Sequence, residues 1–477
     1  MFVSAKSNGI ARGCKRGAKV TFPQHAPIRL PEMNWVFPNV QSARLSNGLH
    51  LNVLTTSRLP FVQIRLMIPG GRHLEPISVA PGVGALAMRT ARYGTSSYDA
   101  RQLALGLDEL GSQLGCRSSL DALSFGLQSL TKNLRTSLKI FSEVLQVPRF
   151  DALDVTREAE KLAATKRNQA SRPSGYAGQW LNGLLYGEHP YGSPASTAEE
   201  ILSCKPEGLK RYFEQRVRPD GAYLVVVGDI DFEEARGLFE DVLGSWTGTV
   251  GPSEPPELPV SDSTTRIVLL DRPGAQQSML FMGALGLQRS HPDYLALSVL
   301  NHIFGGGASG RLFKDLREAR SLTYGCSSVL DSGMWGGDLT ASLSCSPGKT
   351  QEAIEALLGQ YERLCTQPVL EEELAAAIQY RIGAWPKAGA SLRGLAGLVL
   401  VQLLNRLDKD CWTEHPHRLR TLTVDALERV AKRHLNYAAK RLVVVGEASK
   451  LQGCLEGLGE LCVYSGDARP LRKAHQV

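Results

Sequence analysis

The run Tyr223-Leu-Val-Val-Val-Gly228 returns as Arg441-Leu-Val-Val-Val-Gly446, and the elements ahead of the two runs come in the same order. A chain that repeats itself at this distance folds as two like units, each about 215 residues long and large enough for its own core. An uninterrupted apolar run of this length reads as a strand buried on both faces.

The elements can be read from periodicity. In the first unit, Asn34–Asn52 reads as strand, turn and strand, with Ser46-Asn47-Gly48 at the turn. Val62–Ile68 and Leu120–Leu127 read as strands. Val83–Tyr93, Ser97–Leu114, Leu130–Val147 and Val155–Ala170 read as helices, with Leu103, Leu107, Leu110 and Leu114 on one helix face. In the second unit, strands are expected at Thr265–Leu270, Gln277–Gly283 and Asp338–Cys345. Helices are expected at Pro292–Phe304, Ser309–Arg320, Lys349–Leu364 and Leu370–Trp385. Strands and helices do not alternate strictly, which disfavours a doubly wound parallel sheet. The expected class is α+β: two homologous domains, each a mainly antiparallel sheet with packed helices. The Pro- and Gly-rich stretch Val250–Asp262 reads as the linker. The expected divisions are a basic flexible segment at 1–30, a first domain at 31–249, a linker at 250–264 and a second domain at 265–477.

Charge excludes one class of partner. The net charge of +7 arises almost wholly in residues 1–30, which hold six of the 54 basic residues and none of the 47 acidic ones. The near-neutral remainder gives no footprint for nucleic acid. The basic head has no continuous apolar segment, so a secretory signal is not expected. Its composition suits a solvated terminus, and also an organellar transit peptide. No apolar run is long enough to span a bilayer. The nine cysteines are scattered and form no C-x-x-C pair, which fits a reducing compartment, cytoplasmic in preference to mitochondrial matrix.

Several motifs together resemble the pitrilysin/insulinase/mitochondrial-processing-peptidase family. Leu45-Ser-Asn-Gly48 resembles its opening hairpin and Pro69-Gly-Gly-Arg72 the turn before its metal helix. His189-Pro-Tyr-Gly192 and Val226-Val-Gly-Asp229 match further segments. The most specific match begins at the glycine loop after Phe304, runs through a short helix with Arg317 and ends at Tyr324. The resemblance implies two facing domains that enclose a cavity. It also implies a zinc peptidase chemistry that this chain has lost.

Active members carry H-x-x-E-H on a helix, where two His four residues apart bind Zn²⁺ and the Glu activates water. Against that motif, Ala85 stands at the first His, Met88 at the Glu and Arg89 at the second His. The distal carboxylate ligand falls near Ala163–Thr165, where there is none; Glu160 is about one helical turn away. Ala offers no donor atom, and Arg89 places a permanent cation where the metal would sit. No metal is therefore expected in this chain. His415-Pro-His417 reads as a surface loop, and Gly305–Gly307 lacks the Lys-Ser/Thr continuation of a phosphate loop.

In the family, the second half supplies an Arg/Tyr pair that reaches substrate at the zinc, and Arg317 and Tyr324 match it. A Tyr hydroxyl can donate to an oxyanion, and an Arg fork can hold a substrate carbonyl. Gly305, Gly306, Gly307 and Ser309 are the expected substrate-binding loop. The reading that follows is a non-catalytic subunit of a heterodimeric zinc metallopeptidase, inactive alone. It would supply cavity wall and the Arg/Tyr pair to a zinc-bearing partner for precursor processing, such as that of a quinone-cofactor peptide. A peptide would add to a sheet edge near Ser118–Leu127. The alternative is a structural subunit resembling the core proteins of respiratory complexes.

Overall fold

The computed structural model describes residues 35–75, 81–172, 174–249, 257–259 and 263–470. The basic segment 1–30 and most of the linker lie outside the described residues. Two six-stranded sheets organise the chain. The first holds β1 (Gln41–Arg44), β2 (His50–Thr55), β3 (Phe61–Pro69), β4 (Gln113–Ser118), β5 (Ala122–Leu130) and β6 (Tyr223–Gly228), in the order β1-β2-β6-β3-β5-β4. The second holds β7 (Arg266–Asp271), β8 (Ser278–Leu285), β9 (Thr323–Ser332), β10 (Gly337–Cys345), β11 (Arg441–Gly446) and β12 (Glu460–Ser465), in the order β12-β7-β11-β8-β10-β9.

Five strands correspond between the sheets, in place and in direction. β2 and β6 are parallel, as are β7 and β11; the remaining neighbours, β6-β3-β5-β4 and β11-β8-β10-β9, are antiparallel. The sixth strand differs. β1 joins antiparallel from the N-terminal side, whereas β12 joins parallel from the C-terminal side. The two Val-rich runs are β6 and β11. Both are inner strands, and nearly every residue in them is buried, which explains their unbroken apolar character. The α+β class and the duplication are present as expected.

The expected helix Ser97–Leu114 is shorter. It runs Ala100–Glu109, opened by a capping box in which Asp99 and Gln102 satisfy each other's backbone N–H groups. Gly111, at φ +61°, then turns the chain into β4. Leu103 and Leu107 bury on the helix, while Leu114 packs against the same core from a strand. The sheet edge also shifts. β5 lies between β3 and β4, so the free edge is Gln113–Ser118 and most of the expected Ser118–Leu127 edge is interior.

The halves exchange helices. Ala177–Tyr186, from the first half, packs on β8 and β11 of the second sheet; Leu392–Leu404, from the second half, packs on β3 and β6 of the first. Leu181 and Leu185 meet Val268, Leu270, Val443 and Val445 in one apolar cluster. Gly283 on β8 permits this approach, since a Cβ there would stand 2.9 Å from Leu185 Cδ1 and 3.1 Å from Leu181 Cδ1. The His189-Pro-Tyr-Gly192 motif works at the same seam. Tyr191 Oη donates to Asp121, whose other oxygen accepts from Met334 N at 3.2 Å. Tyr186 Oη donates to Asp338 Oδ2 at 2.7 Å. Residues Val36–Val477 accordingly form one compact unit. Among the described residues no single helix is long and apolar enough to cross a membrane.

Candidate functional site

The first-half positions lie on the helix Val83–Thr90. Gly82, at φ +86°, starts it, and its N–H donates to buried Glu75 at 3.0 Å. Ala85 and Arg89 share one helix face and are half-buried, while Met88 turns inward and is fully buried in the core. This helix packs against Ala152–Ser171.

From that second helix comes a residue the sequence reading passed over. Glu158 is 1% exposed, and Arg89 donates to its Oε2 from Nε at 3.3 Å and Nη2 at 3.2 Å. Tyr93 Oη at 2.8 Å and Lys161 Nζ at 2.7 Å donate to Oε1. Burial pushes the Glu158 carboxyl up, but the hydrogen bonds from Lys161 and Tyr93 and the Arg89 charge outweigh it and hold the group below its ordinary range. The sequence did carry a signal. Glu158 shares the apolar stripe of Val155, Ala159 and Leu162, and a carboxylate there needs a buried partner. Glu160 is exposed, Ala163 is buried, and the Thr165 hydroxyl donates to the backbone O of Lys161.

The donor set at these positions does not fit Zn²⁺. Ala85 has no ligand atom, Met88 is in the core, and Arg89 is a fixed cation already held by the nearest carboxylate. Elsewhere among the described residues, His291, Asp293 and His434 cluster, but their atoms are engaged with one another. His434 Nε2 lies 2.7 Å from Asp293 Oδ2, His291 Nδ1 accepts from Asp293 N at 3.0 Å, and Arg433 stands 3.6 Å from the same carboxylate. His415-Pro-His417 is not a surface loop. It opens the short helix His415–Arg420, and the His415 ring packs 4.6 Å from Trp385; burial pushes its pKa down to about 4.

The second-half segment is built differently. Phe304 ends the helix Tyr294–Phe304, and the glycine loop follows. A Cβ on Gly305 would meet Leu312 Cδ1 at 2.7 Å and Ser328 N at 2.9 Å; one on Gly306 would meet His302 Cα at 2.9 Å. Close backbone packing therefore demands these two glycines. Gly307 O accepts from Gly310 N at 3.0 Å, and Ser309 is exposed. The next turns widen into a π-helix, Phe313–Ala319. Leu312 and Leu316 anchor it in the core, and the Arg311 guanidinium forks onto Glu373 at 2.7 and 2.6 Å. Arg317 is exposed, with its guanidinium 4.5 Å from the centre of the Phe313 ring.

Tyr324 stands in a β-bulge. Cys326 pairs with Leu343 and Thr323 with Cys345, so Tyr324 and Gly325 together face Ser344 alone. β9 is the edge of its sheet, and Tyr324 is 92% exposed, which excludes a half-buried packing role. Burial pushes the Cys326 thiol up to about 11, an effect the Arg317 charge partly offsets. The π-helix that carries Arg317 packs against β9, the strand that carries Tyr324.

Two like α+β halves, each a mixed six-stranded sheet with packed helices, define the class, and comparison with known proteins names the family. The profile of the family described as "Insulinase (Peptidase family M16)" matches residues 53–195, and that described as "Peptidase M16 inactive domain" matches residues 203–380. The chain belongs to peptidase family M16. An uncharacterized zinc protease of Mycobacterium leprae is 27% identical over 322 residues, covering 66% of this chain and 71% of that protein. The uncharacterized zinc protease YmxG of Bacillus subtilis is 27% identical over 300 residues, covering 60% and 70%. The crystal structure of a peptidase M16 inactive domain from Pseudomonas fluorescens superposes with a TM-score of 0.80 at 25% identity, covering 86% of this chain and 98% of that one.

Proposed function

We propose that this chain is the non-catalytic subunit of a heterodimeric M16 zinc metallopeptidase, that it binds no zinc of its own, and that it acts on a peptide with a zinc-bearing family partner. The observation that carries this reading is the contrast between the halves. The metal positions are filled by alkyl, thioether and an Arg89–Glu158 ion pair, while Tyr324 projects from a bulge with no packing duty. Tyr324 O–H would donate to the oxyanion that develops on a substrate carbonyl, and the Arg317 fork would hold an adjacent carbonyl or carboxylate. Gly305, Gly306, Gly307 and Ser309 would border the peptide. An extended peptide would pair with the β4 edge, Gln113–Ser118.

The test is reconstitution with a zinc-bearing M16 subunit. Tyr324→Phe and Arg317→Lys should each lower kcat while partner affinity holds, with the Tyr change costing about 10²-fold or more. Unchanged kcat in both variants sinks the role. Failure to bind any such partner favours a structural subunit of a larger complex.

A further inference from the structure

A cavity of about 160 Å³ opens where the first half meets the C-terminal segment of the second. Its wall includes Lys166 on the helix Ala152–Ser171, Tyr176, Gln179, Ser196, Thr197 and Arg469. Residues 464–469 are bonded to the first half. Arg469 Nη2 donates to Ala195 O at 3.2 Å, Trp180 Nε1 donates to Ala468 O at 3.0 Å, and the Trp180 and Tyr464 rings lie 4.5 Å apart.

We propose that this cavity is a binding site for a small oxyanion, phosphate or carboxylate, clamped between Lys166 and Arg469. The charge inventory points to a ligand of that sign. The one carboxylate in the wall, Glu199, is 3.8 Å from Arg167 and answers that cation. Among the described residues neither Lys166 nor Arg469 makes an ion pair. With Glu199 set against Arg167, Lys166 and Arg469 remain as two half-enclosed cations lining one cavity; they repel each other, and a ligand that bonds both relieves the repulsion. The neutral wall supplies further donors. Gln179 Oε1 accepts from Ala195 N at 3.2 Å, which leaves its amide N–H groups for the cavity. Tyr176 and Ser196 add hydroxyls.

Lys166 directly follows Thr165 on the helix Ala152–Ser171, while Arg469 comes from the far end of the described chain. The site is independent of the peptidase reading, since it needs neither partner nor catalysis.

Titration calorimetry on the full chain at fixed ionic strength tests it. Two probes are used: inorganic phosphate, and an acetylated tripeptide with a free C-terminus beside its C-terminal amide. Saturable binding of phosphate alone identifies a free-ion site. Binding of the acid peptide but not its amide identifies a peptide-carboxylate site. Either outcome supports the proposal, provided Lys166→Met and Arg469→Met each weaken binding by about tenfold or more, the loss of one charge-assisted hydrogen bond. Arg135→Gln, which removes an exposed cation paired with Asp241, should leave binding unchanged. Among the described residues Arg469→Met gives up one side-chain bond, that to Ala195 O, and no ion pair, so it serves should Lys166→Met fold poorly. No saturation by either probe, or wild-type binding in both variants, overturns the proposal.

Discussion

Arg89 Nη2 lies 3.2 Å from Glu158 Oε2, and this ion pair joins the helix Val83–Thr90 to the helix Ala152–Ser171. Under the proposed reading, these two helices are the ones that would carry the metal ligands in an active member. A fixed guanidinium takes the cationic place, and a buried carboxylate from the other helix neutralises it.

Restoring the missing motif should therefore fail. Ala85→His, Met88→Glu and Arg89→His together still lack a carboxylate at Ala163–Thr165, and they strip Glu158 of one partner. Met88→Glu also puts a carboxylate into a fully buried core position, at a cost of several kcal/mol. The expected result is a less stable chain without stoichiometric zinc, checked by denaturant melts and elemental analysis. One bound zinc per chain with chelator-sensitive proteolysis would refute it.

Glu158 should contribute stability that depends on pH. Its carboxyl is held below the ordinary range, so the contribution is present above that range and is lost as pH falls through the folded value. Glu158→Gln should cost about 2 kcal/mol near neutral pH, since Arg89 and Lys161 reach solvent and rehydrate. The gap from wild type should close in acid. A gap that persists undiminished at low pH would show a packing effect instead.

Tyr324 should separate stability from activity. A side chain 92% exposed contributes little to packing, so Tyr324→Ala should shift stability by no more than about 0.5 kcal/mol. The same change should depress the turnover of a reconstituted complex. A large loss of Tm would return Tyr324 to a structural role.

The legible part of the sequence was the part written in apolar periodicity. The two Val-rich runs marked β6 and β11, and the spacing of apolar residues placed most strands but left helices such as Ala177–Tyr186, Phe232–Leu243 and Leu392–Leu404 unread. What escaped notice depended on contacts between distant elements. Leu114 continues a helical spacing from Leu110, yet Gly111 breaks the helix before it. Glu158 is hidden from a reading by ligand spacing, because it answers Arg89 across two helices and does not occupy a ligand position. The exchanged helices could not be read locally, because Leu181 and Leu185 find their apolar partners on the other half's sheet. The Tyr324 bulge depends on a register with β10 that no local pattern in β9 reveals.

The seam between the halves should titrate. Burial, more than the nearby Asp331 charge, pushes Asp338 up to about 6, although its bond from Tyr186 pulls the other way. An unfolded Asp titrates near 3.8. Between these values the folded chain holds a proton that the unfolded chain has released. The stability from neutral Asp338 is thus complete below about pH 4 and is lost as pH rises through about 6, by an amount of order 3 kcal/mol at about 1.4 kcal/mol per pKa unit. Asp338→Asn keeps the shape and an acceptor for the Tyr186 hydroxyl but cannot ionise. The stability of the Asn variant relative to wild type should climb by that amount between pH 4 and pH 7 in urea melts, and a flat difference would show that Asp338 ionises normally at the seam.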